Sequence, residues 1–426
     1  MTLRKTAIVV GSGAGGAVIA KELQGRYDVT ILEAGKAFKP FSASIPLFSK
    51  LRYSGLFLDE RMISMFIPNM KVEKTKDMVL VRGIGLGGTT TLATGNAVRC
   101  DGSLRRLGID LDREFEELYE ELPITIDHQR YWTDTTRQMY ELFETMGLQP
   151  VVTPKFLDVS KCVGCGHCAI GCPTGAKWDS RALVDEAVRN GAHLVQDCKV
   201  GSLEIEDGLL KAVHAVQGGK KVTYAGDLIV LAAGGLGTPV ILEDSGIEVK
   251  KQLFVDPVLC VAGRKEGIHQ ERQILMPFIS QQDGYILSPY MDYLSFFFNK
   301  DWKMGMEDIV SIMIKLADER IGSTDGRRIS KTMSEKDKEN MKKAVALSSE
   351  IVEALGVAKE KQFLGTLNAG HPGGMLPLNE KSASTLHDES LPANLYIADA
   401  TLFPESLGNP PILTIMALAK KIASLL

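Results

Sequence analysis

The sequence TAIVVGSGAGG occupies positions 6–16 and joins a short apolar run to a cluster of glycines. Its first part is rich in β-branched residues, as expected of a strand that is buried on both faces of a parallel sheet. Its second part matches the pattern G-x-G-x-x-G, and small residues continue from it into a predicted helix that ends near Gln24. The stretch therefore predicts the strand–turn–helix unit with which doubly wound α/β folds bind dinucleotides.

The glycine turn and the next strand supply the predicted cofactor contacts. Gly11, Gly13 and Gly16 permit a tight turn, a close approach of backbone to pyrophosphate, and close packing of helix on strand. Ala14 opens the helix, whose N-terminus would face the phosphates. The second strand ends in Glu33, whose carboxylate is placed to accept hydrogen bonds from a ribose. The alternative is a glycine-rich turn that binds nothing, with Glu33 at a solvated strand end.

Composition restricts the function classes. The chain has 426 residues, 45% of them hydrophobic and 24% charged, which suffices for a large core and predicts two domains. A net charge of −4 and a pI near 6.1 do not favour nucleic acid or an anionic membrane as a partner. No apolar run approaches the roughly 18 residues of a membrane span, and the apolar start leads into Gly11 rather than a signal-peptide cleavage site. Seven cysteines, four of them clustered, do not resemble a secreted disulfide framework, so we expect a cytoplasmic protein.

A second glycine cluster, RGIGLGGTT at 82–90, is followed by Asn96. Here the chain resembles the glucose–methanol–choline (GMC) oxidoreductase family, which carries R-G-x-x-L-G-G-[ST]-[ST] and a nearby asparagine against its flavin. The resemblance implies non-covalent FAD as the cofactor, with Arg82, Gly87, Gly88, Thr89 and Asn96 on the flavin side. Bare backbone at the paired glycines can approach a planar ring closely. The alternative is a glycine-rich loop that only packs against a helix.

Two later segments extend the resemblance. Residues 228–247, LIVLAAGGLGTPVILEDSGI, resemble the family's second signature, although Gly235 and Glu248 depart from it. Residues 394–411, NLYIADATLFPESLGNPP, resemble its closing segment, and the resemblance assigns Asp399 to the flavin. The implied fold is α/β: a Rossmann-like FAD-binding domain with a parallel sheet, plus a second α+β substrate domain with an antiparallel sheet.

The predicted domains are discontinuous in sequence. The FAD-binding domain is expected to comprise 1–36, 76–100, 175–250 and 385–426, followed in size by the substrate domain, 251–384, and a helical and cysteine-containing segment, 101–174. The stretch 37–75 is expected to cover the flavin. Within the substrate domain, alternating runs at 273–280 and 285–298 predict strands, and a long helix is predicted over 334–355.

The resemblance also assigns the chemistry to two residues. The family places a histidine in H-x-x-G and a histidine or asparagine before the last helix on either side of the flavin N5, which correspond here to His371 and Asn409. Oxidation of an alcohol moves a hydride to N5 and the hydroxyl proton to a base, and imidazole titrates near neutrality. The amide of Asn409 can hold the substrate oxygen in line. Met375 replaces the family's usual threonine, and the spacing from Asn409 to Thr414 is one residue longer than usual. The alternative for His371 is a loop histidine that caps a turn.

The run CVGCGHCAIGCP at 162–173 has the C-x2-C-x2-C-x3-C-P spacing of bacterial ferredoxins. It predicts an iron–sulfur cluster, [4Fe–4S] in form, on Cys162, Cys165 and Cys168, with Cys172 as fourth ligand. Other possible fourth ligands are Cys100, Cys198 and Cys260, or none in a three-iron centre, and zinc is disfavoured because its ligands usually come in two separated pairs. The alternative is a structural Cys172 within the shorter G-C-x-x-G-x-K pattern of some relatives, with the other three thiols incidental.

These motifs lead to three functional hypotheses. The first is an FAD-dependent dehydrogenase that oxidises an alcohol or hydroxy acid and passes electrons through the cluster to an acceptor protein or quinone. The second is a cluster-free oxidase of the same family that uses dioxygen, and the third is a flavin and iron–sulfur electron-transfer subunit. A homo- or hetero-oligomer is compatible with each. The sequence does not indicate the substrate beyond this class.

Overall fold

The computed structural model describes residues 4–40, 60–65, 67–325 and 328–426. Much of the stretch expected to cover the flavin, at 41–59 and 66, therefore lies outside the described residues. The helices are α1 (Ala14–Glu22), α2 (Gly102–Arg106), α3 (Asp112–Glu121), α4 (Asp134–Thr145), α5 (Arg181–Arg189), α6 (Gly234–Asp244), α7 (Tyr293–Phe298), α8 (Glu335–Ala354) and α9 (Ile412–Leu425). The strands are β1 (Lys5–Val10), β2 (Tyr27–Leu32), β3 (Met70–Lys74), β4 (Val79–Gly83), β5 (Ile124–Thr125), β6 (Val151–Val152), β7 (Lys155–Phe156), β8 (His193–Val195), β9 (Cys198–Glu206), β10 (Leu209–Gln217), β11 (Lys220–Ala225), β12 (Leu228–Leu231), β13 (Val258–Arg264), β14 (Phe278–Gln282), β15 (Tyr285–Pro289), β16 (Ile309–Leu316), β17 (Ser323–Thr324), β18 (Ile329–Ser330), β19 (Gln362–Leu364), β20 (Asn368–Ala369) and β21 (Leu395–Ile397).

A parallel sheet carries the first glycine motif. Its strand order is β21–β12–β1–β2–β8, and every neighbouring pair is parallel. The central strand β1 is buried along 7–10, because its apolar side chains are covered on both faces. Helix α1 packs against α5 and α9, and an antiparallel sheet of β9, β10 and β11 adjoins α6. The carboxyl end of β1 lies in the middle of the sheet, where doubly wound folds bind ligands.

A larger mixed sheet forms the second layer. Its order is β3–β4–β20–β13–β16–β15–β14–β6, with β19 also paired to β13, and only β4 and β20 run parallel. Alternate residues of β13 face opposite sides: Leu259 and Val261 join the apolar cluster that contains α8 residues, whereas Cys260 and Ala262 join a second cluster. The predicted α/β fold with an antiparallel substrate sheet is thus confirmed, with β20 as a parallel exception.

Two local predictions in this region have different outcomes. The helix predicted over 334–355 is present as α8, and Ser334 and Asp337 form a capping box at its start. The strand predicted over 285–298 was too long, because the Asp292 side chain accepts hydrogen bonds from the N–H groups of Leu294 and Ser295 and begins helix α7. In the described part of the chain, no helix is both long and apolar enough to cross a membrane.

Candidate active site

The turn after β1 has the geometry of an anion site. Gly11 has φ +102°, which favours glycine, and its N–H donates to the Leu32 carbonyl at 2.9 Å. Helix α1 begins at Ala14, and its first amides have no intrahelical partner, as at every helix start. The N-cap residue, Gly13, has no side chain that could accept from them. No heavy atom of the described residues lies within 4 Å of a Cβ built on Gly13. Free N–H groups beside open space fit the pyrophosphate of a dinucleotide.

Glu33 connects this turn to the second glycine cluster. Its carboxylate is 5% exposed and accepts hydrogen bonds from Ser12 N (3.1 Å), Ser12 Oγ (2.6 Å) and Gly35 N (2.8 Å). Burial raises the pKa of Glu33, although these hydrogen bonds oppose the change. Ser12 Oγ also accepts a hydrogen bond from Gly87 N at 3.0 Å. Sequence reasoning missed Ser12, because it occupies a variable position of G-x-G-x-x-G.

The two glycine clusters lie against each other. Gly87 and Gly88 have φ +89° and +55°, and a Cβ on Gly88 would lie 3.0 Å from the Cα of Gly13. Two predicted flavin-side residues have protein partners: the Arg82 guanidinium pairs with Glu73, and Thr89 Oγ1 accepts a hydrogen bond from Gly83 N at 3.1 Å. These contacts hold the second glycine loop in position.

Asn96 is buried beside a lysine that sequence reasoning missed. The Asn96 Oδ1 accepts a hydrogen bond from Lys155 Nζ, which also donates to the Leu275 carbonyl at 2.6 Å. Burial lowers the pKa of Lys155 to about 7. A second buried lysine, Lys177, donates from Nζ to three backbone carbonyls of the 90–93 segment at 2.7–3.0 Å. The two lysines therefore fix the backbone that follows the second glycine cluster.

Asp399 joins the C-terminal segment to α6. Its carboxylate accepts hydrogen bonds from Gly234 N (2.8 Å), Thr238 Oγ1 (2.5 Å) and Thr401 N (2.9 Å). Burial raises the pKa of Asp399, and these bonds oppose the change. The preceding residue packs on α1, because a Cβ on Gly15 would lie 1.7 Å from the carbonyl oxygen of residue 398. The predicted cofactor residue Asp399 thus lies beside the N-termini of α1 and α6.

His371 follows β20 at the same sheet edge as the second glycine cluster. Strands β20 and β4 are parallel, with Asn368 opposite Val79, so the chain segments that leave them emerge together. The His371 loop rests on α6, where a Cβ on Gly235 would lie 1.9 Å from the Pro372 carbonyl oxygen. This contact explains why glycine stands at 235, where the family pattern has a larger residue.

His371 and Asn409 both lie next to a buried ion pair formed by Asp256 and Lys315. His371 Nδ1 lies 3.4 Å from Asp256 Oδ2, in a geometry that is not a hydrogen bond. The same Oδ2 pairs with Lys315 Nζ, which also donates to the Asn409 carbonyl at 3.2 Å. The Asn409 side chain donates to Gln281 Oε1 at 3.0 Å, while its Oδ1 is buried without a hydrogen-bond donor in the described structure. Asn409 thus has an oxygen available for a ligand.

The charges around His371 set its protonation. Packing of the surrounding protein lowers the pKa of His371, the Lys315 ammonium adds to this effect, and Asp256 opposes it. Burial would raise the pKa of Asp256, but Lys315 and then His371 outweigh it and hold that pKa at about 2. These charges favour a neutral His371 imidazole beside an ionised Asp256 carboxylate.

Thr414, whose spacing from Asn409 is unusual, is fully buried and accepts a hydrogen bond from Cys100 N at 3.0 Å.

The four clustered cysteines lie in different packing environments but remain electrostatically coupled, because Cys168, Cys165 and Cys172 add to the burial that raises the pKa of Cys162. Cys162 and Cys172 pack around Leu157, Ala176 and Ile274, whereas Cys168 packs against a different apolar cluster. Cys172 Sγ accepts a hydrogen bond from the backbone N–H of residue 177 at 3.4 Å. Among the described residues, no three His, Cys, Asp or Glu side chains are grouped closely enough to hold a metal ion.

The glycines of the cysteine run form the predicted coil, and one of them packs against the substrate domain. Gly164 and Gly166 have the positive φ angles expected of a tight coil, +63° and +72°. Gly166 packs onto the carbonyl oxygen of Glu271, which would lie 2.0 Å from a Cβ at this position. The remaining thiols lie elsewhere: Cys198 and Cys260 are buried in β9 and β13, and Cys100 lies next to Thr414. The described structure thus gives no support to the predicted iron–sulfur cluster.

A dinucleotide-type turn at the end of a parallel sheet, together with a histidine after β20 and an asparagine of the C-terminal segment that approach one buried ion pair, is the arrangement expected of a flavoprotein oxidoreductase. Residues 5–259 match the sequence model of the GMC oxidoreductases. The chain therefore belongs to the GMC oxidoreductase family, whose cofactor is FAD.

Individual relatives agree with this assignment. The chain is 28% identical to an uncharacterized protein of Methanocaldococcus jannaschii, over 97% of both chains. It is 24% identical to a long-chain-alcohol oxidase of Arabidopsis thaliana, over 97% of this chain and 65% of that one. Its structure is similar to pyridoxine 4-oxidase from Mesorbium loti, with a TM-score of 0.74 and 15% identity over 99% of each chain. It is also similar to formate oxidase of Aspergillus oryzae, with a TM-score of 0.73 and 14% identity over 100% of this chain and 98% of that one.

Proposed function

We propose that the protein is an FAD-dependent oxidoreductase that oxidises an alcohol to a carbonyl compound, with dioxygen as the electron acceptor. The observation that carries the proposal is that His371 and the Asn409 backbone both approach the buried Asp256–Lys315 pair, with His371 at the sheet edge where the second glycine cluster emerges. Asn409 Oδ1 is buried and lacks a donor within the described structure, so this amide has hydrogen-bonding capacity left for a ligand. A buried polar atom without a partner costs about 1–3 kcal/mol, which a polar group of a bound ligand would offset.

The chain's residues have separate tasks in this reaction. His371, kept neutral by its surroundings, accepts the hydroxyl proton as general base. The Asn409 amide can donate from Nδ2 to the oxygen of the same hydroxyl, whose single proton goes to His371, and so hold the carbinol carbon in place. The amides at Gly13 and the carboxylate of Glu33 would hold the pyrophosphate and ribose of FAD, and the bound flavin would supply the hydride acceptor.

Dioxygen is proposed as acceptor on two grounds. Among the described residues, no three metal-ligating side chains are grouped closely enough to hold a metal ion, so the structure gives no support to a path for single electrons through a cluster. Proteins similar to the chain include a long-chain-alcohol oxidase, a pyridoxine 4-oxidase and a formate oxidase. Hydroxy acids remain within the substrate class, since they carry the same carbinol group.

Anaerobic flavin reduction tests the proposed reaction. FAD-loaded protein is mixed with primary alcohols, secondary alcohols and hydroxy acids, and the flavin absorbance is followed. At least one compound should bleach the flavin, and His371→Ala should slow bleaching by about 10²–10⁴, the usual worth of a general base. His214→Ala is the matched control, because His214 is exposed on β10. Equal bleaching rates in wild type and His371→Ala across pH 6–9 would remove His371 from the reaction.

Iron analysis tests the role proposed for the cysteines. Protein reconstituted anaerobically with iron and sulfide should retain no stoichiometric iron, and Cys165→Ser should reduce dioxygen at the wild-type rate with alcohol as donor. Stoichiometric iron and sulfide that are lost in Cys165→Ser would instead support the iron–sulfur dehydrogenase.

A further inference from the structure

A buried ion pair, Asp256–Lys315, connects the two residues of the proposed chemistry. Both side chains are almost completely enclosed, at 1% and 2% exposure. Lys315 Nζ contacts Asp256 Oδ2 and the Asn409 carbonyl, while His371 Nδ1 approaches the same carboxylate oxygen at 3.4 Å. We propose that Asp256 and Lys315 are positioning residues, which fix the ring of His371 and the backbone of Asn409 relative to each other. This inference rests on the proposed function of those two residues.

The carboxylate of Asp256 is held from several directions. Its other oxygen, Oδ1, accepts hydrogen bonds from Ser406 Oγ and from Gly408 N at 3.3 Å. The backbone N–H of Asp256 donates to Asp318 Oδ1 at 2.8 Å, and Asp318 forms its own buried pair with Lys331. Asp256 adopts φ +52° in this setting, a conformation that non-glycine residues seldom adopt. These contacts fix the orientation of the Asp256 carboxylate.

Stability alone does not account for this arrangement. A buried ion pair is often no more stable than well-packed apolar side chains of similar volume, because both charges lose their hydration. Lys315 lies in β16, whose other seven residues are also buried and mostly apolar, so an apolar side chain would suit the strand. The charge of Lys315 is therefore explained by the two groups that it orients, the Asn409 carbonyl and the Asp256 carboxylate.

The pair acts on His371 in two ways. A carboxylate beside Nδ1 favours the tautomer with the proton on that nitrogen, which leaves the other ring nitrogen able to accept the substrate proton. The charged groups that act on the ring are Lys315, which lowers the pKa of His371, and Asp256, which raises it. Cys100 lies close to the pair but is neutral, because burial raises its pKa to about 12. Removing one charge or the other should therefore move the His371 titration in opposite directions.

The test measures that titration without turnover. Histidine ring signals of isotopically labelled protein are followed by NMR against pH, and the His371 signal is identified by its loss in His371→Ala. Asp256→Asn should shift the titration to lower pH, whereas Lys315→Met should shift it to higher pH. The double variant Asp256→Asn/Lys315→Met leaves neither buried charge unpaired, so it is the arm expected to fold best, with a titration close to wild type. Lys420→Met is the control, because it removes an enclosed lysine from carboxylates on α1 and α3.

Catalysis provides the second readout. Asp256→Asn and the double variant should both slow flavin bleaching by about 10²–10⁴ through loss of the correct tautomer, while FAD remains bound. Shifts of the same sign in both single variants, or a double variant with full activity, would overturn the positioning role. If no alcohol bleaches the flavin but the opposite shifts are found, the proposed function fails while the coupling of the pair to His371 stands.

Discussion

Replacing Gly13 with valine should remove bound FAD and leave the fold intact. The backbone of Gly13 has φ −71° and ψ −165°, which any residue can adopt. Among the described residues, no heavy atom lies within 4 Å of its Cβ position, so a side chain would enter only the open space at the start of α1. Loss of a glycine also restricts the unfolded chain, an effect worth about 0.4–1 kcal/mol for alanine. The FAD-free protein should therefore unfold at the wild-type temperature or slightly above it.

The affinity for FAD should fall steeply in the same variant. Hydrogen bonds to a charged group contribute about 1.5–3 kcal/mol each. A valine that keeps the pyrophosphate from two backbone amides should thus cost about 3–6 kcal/mol, which raises Kd by about 10²–10⁴. The measurements are the flavin content of purified protein, Kd by titration with FAD, and the unfolding temperature of FAD-free protein.

Two other glycines provide controls. Gly201 is exposed in β9 and equally open at its Cβ position, so Gly201→Val should keep both stability and flavin. A Cβ on Gly16 would lie 2.0 Å from the Gly11 carbonyl oxygen, so Gly16→Val should lose the fold as well as the flavin. A Gly13→Val protein that is purified with stoichiometric FAD and has the wild-type Kd would refute the assignment of this turn to the pyrophosphate.

Three further predictions follow from the site. His371→Ala should retain FAD and lose about 10²–10⁴ in the rate of anaerobic flavin bleaching, and loss of flavin instead would assign it a binding role. Gly235→Ser should displace the Pro372 carbonyl and slow bleaching more than it lowers the unfolding temperature, since its Cβ would lie 1.9 Å from that oxygen; unchanged kinetics would contradict the proposed contact of this loop with the reaction. Lys155 has a pKa of about 7 when folded and 10.5 as its ordinary value, so the unfolded chain binds more protons between these limits, and stability should rise with pH across that window. In Lys155→Met the difference between urea midpoints at about pH 7 and pH 9 should be smaller than in wild type, and an equal difference would show that Lys155 titrates normally.

The sequence predicted those parts of the fold that depend on local pattern. The run TAIVVGSGAGG forms a buried strand, a left-handed turn at Gly11 and helix α1, because each step is determined by residues within a few positions of one another. The long helix α8 begins one residue after its cap, Ser334. The prediction of a strand through 285–298 is wrong from Asp292 onward, because the Asp292 side chain begins helix α7. The apolar pattern of 293–298 does not indicate this helix.

The candidate site was only partly predictable, because its charges meet across the fold. Asp256 and Lys315 are 59 positions apart and contact only because β13 and β16 pair. The one local signal for Lys315 is a charge inside the apolar run of β16. The cysteine spacing matched a ferredoxin, yet the grouping of thiols around a metal depends on the surrounding fold, and among the described residues no three metal-ligating side chains are so grouped.

A single anaerobic turnover tests the central claim most directly. FAD-loaded protein is mixed with an equimolar amount of the alcohol that bleaches the flavin fastest, and both flavin absorbance and carbonyl product are quantified. The account predicts one carbonyl product for each flavin reduced, and a slower reduction when the carbinol hydrogen is replaced by deuterium. A flavin that no alcohol or hydroxy acid reduces, but that a reduced nicotinamide or a reduced electron-transfer protein does, would contradict it.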